Sequence, residues 1–303
     1  SLGNDIEIAG SLKETTGGKM ILVGPPASQF SEKILQSGGI DIVARFEYDF
    51  TVRDIAEAID RGKGFGEIKG ISYKENGKII HNPDREFTTS EDLDKIPFVS
   101  RVYRRHLNTK QYFLSQSLYP EVQIFAGRGC PHRCTFCSWP ETLMGRKYRI
   151  RSAENIVDEF QYISEEMPEV REIFIEDDTF TINQNVIEAV CEEIQKRELK
   201  LIWSCNARAS LDYETMREMK RANCRLIIVG YESGNDKILT NIKKGITTDQ
   251  MRKFTRDAKK AGLLIHGDFI IGLPGETKGT SEETIRFIKE LKPNILQVAI
   301  ATP

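Results

Sequence analysis

From residue 121 onward the chain alternates strand and helix with a regularity that constrains its fold more than any other feature. Apolar runs of strand length, VQIFAGRG (122–129), EIFIEDD (172–178), LIWSCNAR (201–208), RLIIVGYE (225–232), LLIHGDFIIG (263–272) and ILQVAIA (295–301), are separated by amphipathic segments. These include SAENIVDEFQYISEEM, NQNVIEAVCEEIQKRE, DYETMREMKRAN, TTDQMRKFTRDAKKAG and SEETIRFIKELK. Each segment opens near a Ser, Asp, Asn or Thr, whose side-chain oxygen can accept from the free N–H groups of a first helical turn. Six βα steps require an α/β fold with a parallel sheet and right-handed crossovers. Such a sheet either stays open or curls into a barrel, and in both cases chemistry gathers at the C-terminal ends of the strands.

Upstream the pattern is weaker. KMILVG (19–24) and IDIVARF (40–46) read as strands, SEKILQSGG (31–39) and TVRDIAEAIDRG (51–62) as helices, and EIKGISYKENGKIIHN (67–82) as a hairpin turning at Glu75-Asn76-Gly77. Two strand–helix steps and a hairpin make a small sheet, so residues 1–82 read as an incomplete α/β domain. Residues 83–120 have little periodicity and are expected to be a linker lying over the next domain, which runs from 121 to 303.

Composition excludes several classes. With 39% hydrophobic and 29% charged residues the chain is of globular type, and a net charge of -2 gives no global basic field for nucleic acid. No apolar run approaches the ~20 residues that span a bilayer. The start, SLGNDIEIAG, lacks the basic and apolar regions of a signal peptide, which points to the cytoplasm. In that compartment six cysteines are not a disulfide framework. Cys191, Cys205 and Cys224 lie among apolar residues and read as small buried hydrophobes.

The other three cysteines do not. GRGCPHRCTFCSWP places Cys130, Cys134 and Cys137 in one loop after the first regular strand. A structural zinc site usually takes four ligands, often as two close pairs, and no second pair is present. His132, beside Arg133, reads as a solvent-facing loop residue rather than a ligand. An iron–sulfur cubane is normally held by four thiolates, so three leave one iron open for a substrate or cofactor. Gly127 and Gly129 permit close backbone approach, and Arg128 and Arg133 can offset the cluster's negative charge. The other strand ends are also polar: Glu176, Asp177, Asp178 and Thr179; Asn206 and Arg208; Tyr231, Glu232 and Ser233; and Gly272 to Glu276.

A CxxxCxxC loop after a first barrel strand, with Phe136 before its last cysteine, resembles the radical S-adenosylmethionine (SAM) superfamily. The resemblance implies a partial (β/α)6 barrel and a 4Fe–4S cluster on Cys130, Cys134 and Cys137. It also implies that S-adenosyl-L-methionine chelates the open iron and is cleaved reductively to a radical that abstracts hydrogen from substrate. By the same resemblance Asp177 or Asp178 receives the SAM amino group, and Arg208 and Ser233, with Glu232 beside them, hold its carboxylate or ribose. Phe269 and Ile271, which share a face by strand alternation, are expected on the adenine, though at least one of them also fits plain core. A one-electron donor such as flavodoxin or ferredoxin is implied.

The layout resembles the subgroup with an N-terminal cobalamin-binding-type domain, Rossmann-like and incomplete here. The wording RGCPHRCTFCSWPETLMG, EDDTFT, WSCNARASL, VGYESGN and IKKG is similar to hopanoid-biosynthesis-associated radical SAM proteins. This implies a small-molecule or lipid-linked substrate, cyclitol ether formation on a hopanoid side chain, and peripheral membrane contact through that substrate. No D-x-H-x-x-G motif is present, the histidines being His81, His106, His132 and His266; the motif either lies upstream or is absent, so cobalamin is possible by the resemblance but unsupported by the residues themselves. The family continues beyond the last residues here, so the chain reads as a fragment. The rival readings are a cobalamin-dependent methylase, an oxidative cyclase acting on a porphyrin, a tRNA-modifying relative, and a zinc-binding interaction module using His132 or a remote cysteine.

Overall fold

The hairpin turn at Asn76-Gly77 forms because both residues take positive φ, 51° and 77°, which asparagine and glycine tolerate best. It closes a four-stranded sheet of β1 (Ile21–Leu22), β2 (Ile42–Ala44), β3 (Ile71–Glu75) and β4 (Lys78–His81) in that spatial order. The pair β1–β2 is parallel and the other two pairs are antiparallel. One apolar cluster holds Ile42, Ile55, Ala58, Ile68, Ile71 and Tyr73, and another holds Ala27, Ile34, Leu35, Ile40 and Val43. The second cluster is flanked by Leu2, Ile6 and Ala9 of a helix at Leu2–Thr16 that the sequence pattern did not announce. That helix ends at Gly17, whose φ of 64° lets its N–H return to the carbonyl of Lys13.

The computed structural model describes residues 1–302, and their contacts divide them into two units. The first comprises Ser1–Thr88 with the short stretches Gly129–Pro131 and Ser138–Lys147; the remainder forms the second.

The second unit is built on the six apolar runs. They become β5 (Glu121–Ile124), β8 (Glu172–Ile175), β9 (Ile202–Ala207), β10 (Cys224–Glu232), β11 (Leu264–Ile271) and β12 (Ile295–Ile300), all parallel, in the order β12-β11-β10-β9-β8-β5. The sheet is a half-barrel with β5 and β12 at its edges. A two-stranded ladder of β6 (Gly127–Arg128) with β7 (Arg149–Ile150) brackets the cysteine loop.

Strand alternation decides what each residue faces. Ile173, Ile175, Trp203, Cys205, Ile227, Val229, Tyr231, Ile265 and Phe269 join the helices in one continuous core. Trp203 is fully buried, meets Phe160 and Phe180 edge-on, and donates its indole N–H to the carbonyl of Ala222 at 2.6 Å. On the opposite, concave face Phe174, Leu226 and Ile228 form a smaller apolar cluster with Leu114 and Ile295. Leu114 belongs to the segment expected to be a linker. That segment instead contains helices Ser90–Lys95 and Val99–His106, the first opened by a capping box between Thr89 and Asp92. Its end is tied to the N-terminal ends of the strands. Glu172 accepts from the Leu118 N–H at 2.7 Å and from Arg225 at 2.9 Å, and Arg225 also donates to the Gln116 carbonyl at 2.6 Å.

Candidate active site

The cysteine loop begins at a point where side chains are excluded. A Cβ on Gly127 would lie 2.9 Å from the Arg149 carbonyl and 3.0 Å from the Tyr148 hydroxyl. A Cβ on Gly129, at φ +86°, would collide with the Lys147 carbonyl. Both glycines are therefore needed for the chain to enter and leave the loop side by side. Cys130 donates its N–H to Gly145 at 3.2 Å. Cys134 and Cys137 close a turn in which the Cys137 N–H reaches the Cys134 carbonyl at 3.2 Å, and the Thr135 N–H fastens it to the Ile242 carbonyl at 3.0 Å.

The six thiols separate cleanly by environment. Cys130, Cys134 and Cys137 are half-buried, whereas Cys191, Cys205 and Cys224 are 0% exposed. Burial pushes the Cys191 and Cys224 thiols well above their ordinary range, so neither is suited to become a thiolate ligand. Beside the turn Lys244 lies 5.9 Å from the ring centre of Phe136, which is itself 38% exposed. His132 is half-buried, not solvent-facing as the sequence suggested. Burial, then the positive charges of Arg208 and Lys244, lower its pKa to about 4, so it is neutral at pH 7. Three half-buried thiols at this spacing, unlike the three sealed in the core, suit a 4Fe–4S cluster, with Cys130, Cys134 and Cys137 as the residues that would hold it. Among the described residues no group of three or more His, Cys, Asp or Glu is gathered to hold a single ion. A cubane does not need such a group, because each cysteine binds a different iron.

The other expected residues divide. Asp177 is 1% exposed, and its two carboxylate oxygens accept the Ala126 and Gly127 N–H groups, each at 2.8 Å. Burial raises its pKa to about 7, and the two N–H donors oppose a further rise. Its visible work is to clamp the end of β5 to the end of β8, which leaves half-buried Asp178 as the more open carboxylate of the pair. Arg208 is half-buried, its backbone N–H held by the Thr181 hydroxyl at 3.0 Å, with no carboxylate paired to its guanidinium among the described residues. Glu232, at φ +67° and 6% exposed, is paired with Lys244 at 2.7 Å.

Two expectations meet contrary geometry. Ser233 is 0% exposed, and its hydroxyl is engaged by Thr284 at 3.3 Å and by the Asn235 N–H at 3.2 Å, so it is part of the packing under helix Lys278–Leu291. Phe269 is 1% exposed and stacks on Tyr231 at 5.5 Å in the helix-side core, so it is closed to an adenine ring. Ile271 shares that face at the strand end and is 39% exposed.

Sequence reasoning missed Lys244, whose only signal was its place in IKKG, and missed His266 and Asp268, hidden in an apolar run. It noted Asn206, which donates to the Asp177 carbonyl at 2.9 Å.

Comparison with known proteins agrees with this geometry. Residues 124–288 match the Radical SAM superfamily. The chain is 32% identical over 286 residues to an uncharacterized methyltransferase of Pyrococcus horikoshii, covering 93% of this chain and 60% of that protein. It is 26% identical over 281 residues to the anaerobic magnesium-protoporphyrin IX monomethyl ester cyclase of Rubrivivax gelatinosus, covering 90% of this chain and 49% of that one. The chain thus spans about half to three-fifths of these relatives. In three dimensions it resembles the radical S-adenosylmethionine methyltransferase TsrM of Kitasatospora setae, solved with cobalamin and a 4Fe–4S cluster. The TM-score is 0.80 at 18% identity, over 99% of this chain and 58% of that one. The cobalamin-dependent radical enzyme OxsB follows with a TM-score of 0.66 at 20% identity, over 88% of this chain and 38% of that one. With three half-buried cysteines in CxxxCxxC spacing after the first parallel strand, and the superfamily match over residues 124–288, the chain belongs to the Radical SAM superfamily.

Proposed function

We propose that this chain is the cluster- and SAM-binding portion of a radical SAM methyltransferase of the cobalamin-dependent kind. The observation that carries the reading is the cysteine loop: three half-buried cysteines in CxxxCxxC spacing after the first parallel strand, in a chain that matches the superfamily over residues 124–288. When bound, a 4Fe–4S cluster supplies the electron that cleaves SAM. The chain's own part is to hold that cluster through Cys130, Cys134 and Cys137, to offer Arg208 to the SAM carboxylate and Asp178 to its amino group, and to limit water in the half-barrel. Methyl transfer is favoured over other radical chemistry because the Pyrococcus relative and the fold match to TsrM are both methyltransferases by name.

Cobalamin enters this reading from TsrM and OxsB, not from a ligand motif. In the N-terminal unit the one histidine is His81, on β4 of the antiparallel hairpin and hydrogen-bonded to Ser72 at 2.8 Å. Open α/β sheets take ligands at the C-terminal ends of parallel strands, which here are β1 and β2. Hopanoid modification, expected from the wording of the motifs, has no counterpart in the names of the relatives above, and an oxidative cyclase is the better second reading because of the Rubrivivax enzyme.

Anaerobic reconstitution with iron and sulfide, followed by EPR of the reduced protein with and without SAM, tests the cluster; a signal that SAM does not perturb defeats the reading. Product analysis then separates the two chemistries. A methylase releases S-adenosylhomocysteine together with 5'-deoxyadenosine, and a cyclase releases 5'-deoxyadenosine alone.

A further inference from the structure

The concave face of the half-barrel carries polar groups that nothing in the cluster or SAM assignment uses. His266 is 4% exposed, and neither of its ring nitrogens has a hydrogen-bond partner. Two residues along the same strand, and so on the same face, Asp268 has its Oδ1 likewise unpartnered, 3.3 Å from His266 Nε2 but not aligned to bond it. This face is the one opposite Phe269 and Ile265, which belong to the helix-side core.

The neighbours define the space around the pair. In the ladder His266 lies between Ile228 and Ile295, both in the concave apolar cluster with Phe174 and Leu226. Asp268 lies between Gly230 and Gln297. A Cβ on Gly230 would collide with the Glu232 carboxylate and come within 3.0 Å of Lys244 Nζ, so the absence of a side chain there seats the Glu232–Lys244 pair beside Asp268. Lys244 is spent on Glu232, which leaves Asp268 without a cation of its own.

Buried polar groups are rarely left unmade, because the desolvation cost of about 1–3 kcal/mol per group is not recovered. Here the unmade groups are a neutral imidazole and a carboxyl oxygen, standing above an apolar floor. That arrangement suits a guest with an apolar body and one polar head that donates a hydrogen bond.

We propose that the His266–Asp268 pair is the substrate-recognition point of the half-barrel, and that it receives an N–H or hydroxyl carried by a mainly apolar substrate. Asp268 accepts from that group, and His266 orients it through its free nitrogen. This rests on the reading above only in taking the concave face as the place where substrate is held.

Indole and benzothiophene are suitable probes, since they have nearly the same shape and only indole has an N–H. Anaerobically reconstituted protein labelled in its histidine rings is titrated with each and followed by NMR, with His266→Gln identifying the His266 signals among the four histidines. Indole is expected to shift the His266 ring signals saturably and to bind at least tenfold more tightly than benzothiophene. In Asp268→Leu that ratio should fall at least fivefold. Equal affinity for the two probes, no indole binding up to its solubility, or binding that leaves His266 unmoved overturns the proposal. Should Asp268→Leu fail to fold, the probe ratio on the unaltered protein decides alone. No turnover is measured, so failure of the methyltransferase reading and failure of this one are separate results.

Discussion

The two units hold themselves together in different ways. In the half-barrel unit the helix side of six strands and the helices packed on it share one continuous apolar core, with Trp203, Phe160 and Phe180 in mutual edge contact at its centre. The N-terminal unit has two small clusters instead of one, and its four strands are only two to five residues long. It compensates with polar ties. Arg45 donates to the Asn82 carbonyl at 2.6 Å and to Asp84 at 2.8 Å, Glu47 accepts from the Thr88 N–H and hydroxyl at 2.7 and 2.9 Å, and Lys13 meets Asp41 at 2.8 Å. A short sheet has little apolar area per strand, so directional bonds must fix its register. The long parallel sheet under its helices relies more on packing, with polar ties such as the Asp177 clamp at the strand ends. The polar strand ends and the concave face are built on the parallel strands.

The largest expected effect belongs to the site. Replacing Cys134 or Cys137 by Ala should abolish cluster assembly and SAM cleavage without altering the far-UV circular dichroism. Cys224→Ala, in the core, should keep the full iron content. Iron loss in the core variant would mean that the division of thiols by burial has been misread.

The contrast between cores is tested next. Trp203→Ala should cost about 3–5 kcal/mol, as large-to-small changes at buried aromatics do. Hydrogen exchange should show that loss across β8 to β11 and leave β2 and β3 as protected as before. Arg45→Met should do the reverse at about 1–3 kcal/mol, exposing amides of β2 and β3 alone, because it leaves the buried Asn82 carbonyl and Ser72 hydroxyl short of a donor. If either change loosens both units equally, the cores are not independent.

Asp177 gives a finer test through pH. Its pKa is 3.8 as an ordinary carboxyl and about 7 in the fold. Between those values the unfolded chain has lost a proton that the folded chain keeps, so this group's contribution is fully present below the lower value, falls as pH rises, and levels off above pH 7. Asp177→Asn should remove that slope from urea midpoints measured across pH 4 to 8. It should also lower stability by about 1–3 kcal/mol, because an amide nitrogen must face one of the two N–H groups the carboxylate now accepts. A slope unchanged in the variant would place the titration elsewhere. The smallest effect is expected at Arg208→Ala, with stability within about 0.5 kcal/mol and the cluster retained, since the guanidinium has no ion-pair partner to lose among the described residues. SAM affinity, read from the EPR titration, should nonetheless fall about tenfold, and unaltered affinity would move the carboxylate site.

Much of this was legible in the chain. The six strands appear within a few residues of the apolar runs, and the hairpin turns at the asparagine and glycine that demanded it. The helix at Leu2–Thr16 was not legible, since its stripe of Leu2, Ile6 and Ala9 is narrow, only partly buried and interrupted by Gly3 and Gly10. The helices within 83–120 are only six and eight residues long, too short for a periodicity to declare itself.

Sequence by itself determined the parallel α/β architecture, the separation of three loop cysteines from three core cysteines, and the glycines that let the loop form. Each of these is local: spacing, alternation and φ preference are properties of neighbouring residues. Only the tertiary structure decided which face of each strand is concave. Alternation makes Phe269 and Asp268 opposites but does not say which of them meets the helices, and the register shift between Gly230 and Glu232 alters the pairing further. Nor could spacing show that Asp177 is consumed by backbone N–H groups some fifty residues away, that Ser233 is taken by Thr284, or that Lys244 pairs with Glu232. Those partners are set by where the whole sheet brings distant segments together, and hydrogen bonds form between neighbours in space.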